Sequence, residues 1–304
     1  MTVRHFLSST SVTPDEMSAI LDRAAEMKAK REPSARLAGR TVAMIFEKPS
    51  TRTRVSFEVA IGELGARALA LSAAELQLGR GETVADTGRV LGRYVHGIVV
   101  RTFGQDRVED LAASSGIPVV NALTDHEHPC QALADLLTIR ERFGTLSGRS
   151  LAYVGDGNNV AHSLLLAGAM AGMRVAVATP PGYEPDASVV SEATSIAAAT
   201  GGAIECGDDP AALVSGADAV YTDVWASMGR EAEQAARVRA FAGFQVDEAL
   251  MRHAKPDAIA LHCLPAHRGE EIAAGVIDGA QSAVWDQAEN RLHVQKALLE
   301  WLLG

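Results

Sequence analysis

Ser50, Thr51, Arg52, Thr53 and Arg54 stand side by side, directly after the apolar run Val42 to Phe46 and a proline at 49. Pro49 can stop a strand, and residues 50–53 would then open a helix. A helix N-terminus offers free N–H groups and a partial positive charge. The hydroxyls add donors, and Arg52 adds a planar fork that matches phosphate oxygens. Taken alone, S-T-R-T-R also reads as a capped helix with solvated arginines. The Walker pattern is absent, so this is not a nucleotide P-loop. Arg54 reads as a structural partner for Glu58, one turn on.

Three more segments carry reactive types where strands end or helices begin. "VVRTF" puts Arg101 at a strand end, "HEHPCQALADLLT" sets His128 and Gln131 three apart on one helix face, and "LHCLPAHRGEE" ends a strand with Cys263, Leu264 and Pro265. In alternating strand–helix folds, ligands sit beyond the carboxyl ends of the strands. All four segments could therefore converge on one crevice.

The elements that would position them alternate along the chain. Thr13, Pro14 and Glu16 form a capping box with proline at the first helical position, opening a helix to about residue 30. Strands are expected near 41–46, 67–71, 97–101 and 118–121, with helices near 53–64, 82–95, 106–115 and 129–143. A second series has strands near 150–154, 174–178, 202–205, 218–222, 258–262 and 282–285, and a last helix near 287–302. This is an α/β chain of two domains, each a parallel sheet flanked by helices. The polar, Gly-containing stretch 143–148 marks the boundary, giving domains 1–145 and 146–304.

Bulk properties narrow the function classes. The 304 residues suit two domains; 47% hydrophobic and 22% charged residues are those of a soluble globular protein. A net charge of −10 argues against nucleic acid as partner, and any anion site must be built from local positive charge. No apolar run reaches the roughly 18 residues that span a bilayer, and the N-terminus lacks a signal-peptide core, so a cytoplasmic protein is expected. Cys130, Cys206 and Cys263 form no CxxC pair, which speaks against a disulfide scaffold or structural zinc.

Taken together, S-T-R-T-R, H-P-C-Q, D-V-W-A-S-M-G (Asp223 to Gly229) and H-C-L-P (His262 to Pro265) resemble, in chain order, the motif set of the ornithine carbamoyltransferases. The resemblance extends over essentially the whole chain, including "ENRLHVQKALL". The first two motifs are similar to those of all carbamoyltransferases, whereas S-M-G and H-C-L-P point to ornithine as acceptor. It implies an active site in the cleft between the domains and the C-terminal helix packing back on the first. The implied reaction is carbamoyl transfer from carbamoyl phosphate to the δ-amine of L-ornithine, as in arginine biosynthesis, with no cofactor and no metal.

By this resemblance Ser50, Thr51, Arg52 and Thr53 cradle the phosphate, and Arg101 bridges phosphate and carbonyl oxygen. Thr53, Arg101 and His128 surround that oxygen, and Gln131 with the backbone of Cys263 and Leu264 binds the carbamoyl NH₂, with Arg291 close by. Gln77 reaches a neighbouring subunit's site in a homotrimer or a multiple of trimers. Asp223 and Cys263 lie near the ornithine amines, Asp223 orienting the amine and accepting its proton, and Cys263 contacting it without forming an acyl intermediate. Asn159, Ser227 and Met228 read the amino-acid end. A loop over 225–245 closes on ornithine, which binds second.

Other readings account for less. A nicotinamide oxidoreductase would explain "LAYVGDGNNVAHS", but Gly155 and Gly157 lack the third glycine of GxGxxG, and Thr179-Pro180 stand where a ribose-binding acid belongs. A metal could use His126, His128 and Cys130, or His262, Cys263 and His267, yet Pro129 opening a helix breaks the first geometry. A non-enzymatic phosphate module leaves Asp223, S-M-G and H-C-L-P without a role. The near alternatives are a carbamoyltransferase for acetylornithine or putrescine, or a catabolic enzyme.

Overall fold

The computed structural model describes residues 3–31, 33–72, 76–77, 81–226 and 233–304. Thr13 caps α1 (Pro14–Lys30) by accepting from the Glu16 N–H, and the Glu16 carboxylate accepts from the Thr13 N–H in return. There follow β1 (Thr41–Phe46), α2 (Thr51–Glu63), β2 (Arg67–Ser72), α3 (Val84–Tyr94), β3 (Gly97–Arg101), α4 (Gln105–Ser115), β4 (Val119–Leu123) and α5 (Pro129–Phe143). The second series is β5 (Ser150–Val154), α6 (Asn159–Met170), β6 (Arg174–Ala178), α7 (Ala187–Thr200), β7 (Ala203–Gly207), α8 (Pro210–Val214) and β8 (Ala219–Thr222). It ends with α9 (Gln234–Ala240), α10 (Glu248–Met251), β9 (Ile259–His262), α11 (Ala274–Ile277) and α12 (Val284–Leu303).

The chain divides into two units, one of Met1–Leu137 with Glu289–Gly304, the other of Thr138–Ala288. Each holds one all-parallel sheet, in the order β2-β1-β3-β4 in the first unit and β7-β6-β5-β8-β9 in the second. The central strands read as unbroken apolar runs because both faces are covered. Val42 to Ile45 and Ile98 to Val100 are at most 4% exposed. Ala43, Ile45, Ile98 and Val100 pack against Leu91, Val95, Val108 and Leu111, which form one core. In the second unit Val154, Ala176, Val220 and Ala260 pack with Trp225, Phe241 and Val246.

Both strand orders contain one reversal. In the first sheet the chain leaves β1 toward β2, then crosses to β3 on the other side. In the second it runs from β5 through β6 to β7, then crosses back to β8. Neighbouring connections diverge there and leave a crevice at the carboxyl ends of β1 and β3, and of β5 and β8.

One expected strand, 282–285, does not form. Ser282 makes a single bridge to Ala260, and Val284 already belongs to α12. The run is too short to compete with the helical pattern behind it, which Asp286 favours by standing in the first turn.

Candidate active site

In the first unit the reversal lies between the end of β1 and the end of β3. Ser50 is the N-cap of α2, its Oγ accepting from the Thr53 N–H at 3.3 Å. The motif therefore caps a helix that follows β1, whose last residue, Phe46, is in register with Arg101, the last residue of β3. Thr51 and Arg52 are exposed, whereas Thr53 is buried. Arg54 faces Glu58 at 3.9 Å with both side chains more than half exposed, a weak surface pair.

From this motif runs a chain of buried hydrogen bonds. Arg291, on α12, donates from Nη2 to Thr53 Oγ1 at 2.7 Å and from Nη1 to Gln131 Oε1 at 2.9 Å. Gln131 in turn donates from Nε2 to Asp135 Oδ1 at 2.8 Å. The amide of Gln131 is thereby fixed in one orientation.

Arg101 and His128 are also buried. Burial, and after it the guanidiniums of Arg291, Arg101 and Arg52, hold the His128 imidazole well below the ordinary histidine range. His128 is neutral at pH 7, and three cations gather around it in a chain of net charge −10. Such a site suits a dianion.

Cys130 is fully buried and donates to the Asn121 carbonyl, and burial pushes its thiol up to about 12. It is a structural residue. Gln77 is exposed and lies between β2 and α3.

In the second unit the reversal lies between β5 and β8. Asp223 follows β8 directly and is buried. Its Oδ1 accepts from Cys263 Sγ at 2.9 Å and from the Val224 N–H at 2.8 Å, and its Oδ2 accepts from Asn158 Nδ2 at 2.9 Å. Asn158 is also the N-cap of α6, its Oδ1 accepting from the N–H groups of Val160 and Ala161. One amide thus ends a helix and aims a carboxylate. Asn159, the expected ligand, is the first residue of α6 and half-buried beside it.

Cys263 and Leu264 leave β9 in a tight turn, with Leu264 at φ 59° and its N–H donating to His262 Nδ1 at 2.8 Å. Ser227 and Met228 lie outside the described residues. The segment before them is held by Arg237 of α9, which donates to Asp156 Oδ2 and to the Trp225 carbonyl, both at 2.7 Å.

Sequence reasoning missed Asn158. Its signal was available: an asparagine immediately before the apolar start of a helix is a favoured N-cap. The rival readings also meet geometry. A Cβ at Gly157 would stand 2.3 Å from Pro185 N and 2.4 Å from the Glu184 carbonyl carbon. This glycine therefore permits close chain packing where a dinucleotide pyrophosphate would have to approach. Asp223, His262 and Cys263 offer ligand atoms within 4.8 Å of one another. The Nδ1 lone pair of His262 is already engaged by Leu264, and the Cys263 thiol by Asp223.

Comparison with known proteins gave matches over both halves. Residues 4–141 match "Aspartate/ornithine carbamoyltransferase, carbamoyl-P binding domain", and residues 147–302 match "Aspartate/ornithine carbamoyltransferase, Asp/Orn binding domain". The chain is 62% identical over 302 residues to an ornithine carbamoyltransferase of Acidothermus cellulolyticus, covering 99% of this chain and 97% of the relative. It is 55% identical over 304 residues to the anabolic ornithine carbamoyltransferase of Pyrococcus furiosus, covering 99% and 96%. The solved ornithine carbamoyltransferase structure from Pyrococcus furiosus is similar at TM-score 0.96 and 54% identity, covering 99% of this chain and 97% of that one. The anabolic enzyme from Campylobacter jejuni is similar at TM-score 0.93 and 40% identity, with 99% of each chain covered.

Proposed function

The chain belongs to the aspartate/ornithine carbamoyltransferase family, and from that premise we propose that it transfers the carbamoyl group of carbamoyl phosphate to the δ-amine of L-ornithine, giving L-citrulline and phosphate. The observation that carries ornithine as acceptor is the buried Asp223 carboxylate, hydrogen-bonded by Cys263 and Asn158. A carboxylate at the acceptor position attracts an amino group and repels the second carboxylate of aspartate.

The groups of the first unit serve carbamoyl phosphate. Ser50, Thr51, Arg52 and Thr53 cradle the phosphate, and the guanidiniums of Arg52 and Arg101 offset its charge. Arg101, Thr53 and neutral His128 stabilise the carbonyl oxygen as it gains charge, a contribution of about 10²–10³ in rate per donor. Gln131 keeps a lone pair on Oε1 beside the one given to Arg291, and with it accepts from the carbamoyl NH₂. The Cys263–Leu264 backbone is the other partner of that NH₂.

The δ-amine must be uncharged to attack. With a pKa of about 10.4 for a lysine-like amine, the reactive form is costly at pH 7, by about 4–5 kcal/mol. Asp223 orients the amine and Cys263 contacts it, while Asn159, Ser227 and Met228 read the amino-acid end. The amine nitrogen bonds to the carbamoyl carbon, the oxyanion collapses, phosphate departs with the C–O electron pair, and the nitrogen gives up one proton to Asp223, leaving the neutral ureido group of citrulline. Alignment of the two reactants can supply about 7–11 kcal/mol, so positioning outweighs proton transfer.

Carbamoyl phosphate binds first, in a domain of residues 1–145, and ornithine in the domain that follows. The enzyme acts in arginine biosynthesis in the cytoplasm, as a homotrimer or a multiple of trimers in which exposed Gln77 reaches a neighbouring site. Among the described residues no helix is long and apolar enough to cross a membrane. Citrulline formation with ornithine, acetylornithine, putrescine and aspartate tried in parallel is the test. Product from ornithine alone is expected, and no citrulline from ornithine refutes the assignment.

A further inference from the structure

We propose that Glu271 is a positioning residue for this reaction, holding the Cys263–Leu264 turn in its working geometry from both ends. The proposal rests on the reading of Cys263 and Leu264 as substrate contacts. The Glu271 side chain is wholly buried, and nothing in the motif set assigns it a role.

The argument begins at His262. Its Nδ1 accepts from the Leu264 N–H at 2.8 Å, so that nitrogen carries no proton. A neutral ring then carries its proton on Nε2, which faces Glu271 Oε1 at 3.2 Å. The same carboxylate oxygen accepts from the backbone N–H of His267 at 2.5 Å. One oxygen therefore ties down the residue before the turn and the residue that closes it. Between these ties lie Cys263, whose thiol meets Asp223, and Leu264, held in the left-handed region at φ 59°. A leucine in that conformation persists only where its surroundings over-determine it, and Glu271 supplies that constraint through His262.

The remaining oxygen, Oε2, lies 3.7 Å from His267 Nδ1 and makes no hydrogen bond among the described residues. Charge on Glu271 is thus less important than an acceptor at Oε1. Glutamine keeps that acceptor and can turn its amide nitrogen toward His267 Nδ1. Aspartate, shorter by one methylene, keeps the charge but cannot reach both donors. Displacement of a reacting geometry by about 1 Å costs on the order of 10²-fold in rate.

The test compares the full-length enzyme with E271Q, E271D and E271A by kcat for citrulline formation, inhibition by inorganic phosphate, and the rate of Cys263 alkylation by iodoacetamide followed by peptide mass. E271Q is expected within about threefold of wild type, and E271D and E271A about 30–100-fold lower in kcat. Phosphate inhibition should stay unchanged in all three, and the Cys263 alkylation rate should shift only in E271D and E271A. Global damage would instead weaken phosphate binding as well. E271D retaining wild-type kcat, or folded E271Q falling as far as E271A, overturns the proposal. If E271A does not fold, the contrast between E271Q and E271D decides. A wild-type enzyme that makes no citrulline refutes the functional reading instead, and the alkylation contrast then still tests Glu271.

Discussion

Asn158 performs two tasks with one amide, and substitution can separate them. Its Oδ1 caps α6 and its Nδ2 aims Asp223. Serine is an N-cap of similar quality, so N158S keeps the cap within a few tenths of a kcal/mol but withdraws the amide donor. A hydrogen bond to a charged group is worth about 1.5–3 kcal/mol, which is about 10- to 150-fold when it is needed in the transition state. N158A loses the cap as well, a further cost of about 1 kcal/mol in stability.

N158D keeps a good cap but sets a carboxylate against Asp223. Two such charges at about 4 Å repel by about 4 kcal/mol at an effective dielectric constant of 20. The assays are steady-state kinetics with ornithine varied, and urea unfolding. Activity is expected to fall in the order wild type, N158S, N158D, with N158S close to wild type in stability. Wild-type kcat/KM in a folded N158S would refute the reasoning, because Asp223 would then need no aiming by Asn158.

Arg52→Ala should weaken carbamoyl phosphate binding by about 10²-fold while leaving the urea midpoint unchanged, since the side chain is exposed; Arg54→Ala, an exposed pair at 3.9 Å, should change either by less than about 0.5 kcal/mol. Unfolding of Arg52→Ala with normal residual affinity would return the motif to a mere cap. Gln295 is wholly buried, and neither end of its amide makes a hydrogen bond among the described residues, so Gln295→Met should raise stability by about 1–2 kcal/mol in thermal unfolding. Because the folded pKa of His128 is depressed, the unfolded chain binds a proton that the native one refuses as pH falls below about 6.5. Stability should therefore decline from pH 7.5 to pH 5.5, by at most about 1.4 kcal/mol per pH unit for this residue, and His128→Gln should flatten the decline.

The strands were legible because a strand covered on both faces must be apolar throughout, as in Ile98 to Val100. The same rule misled at Ser282 to Trp285, where three apolar residues belong to a helix start. Ser50, Thr53, Arg101 and Asp223 could be placed because each stands next to a strand end or a helix cap, a local signal. Arg291 bonding to Thr53, 238 positions away, and Glu271 bonding to His262 have none, since tertiary packing alone brings them together. Asn158 lay between: its cap was readable and its bond to Asp223 was not.

The reversals in the two sheets have a consequence for how such chemistry can be rewritten. The ladders from β1 to β4 and from β5 to β9 are main-chain bonds, with apolar runs in the central strands, indifferent to what the loops beyond them carry. Residues 50–53 and Arg101, the proposed phosphate grip, hang from one ladder, and Asp223 with Cys263 from the other. Acceptor selection is therefore exchangeable at a loop: grafting the segment after β8 from a carbamoyltransferase of different preference should rewrite the acceptor with no strand disturbed, provided the turn after β9, which also contacts the carbamoyl group, is kept.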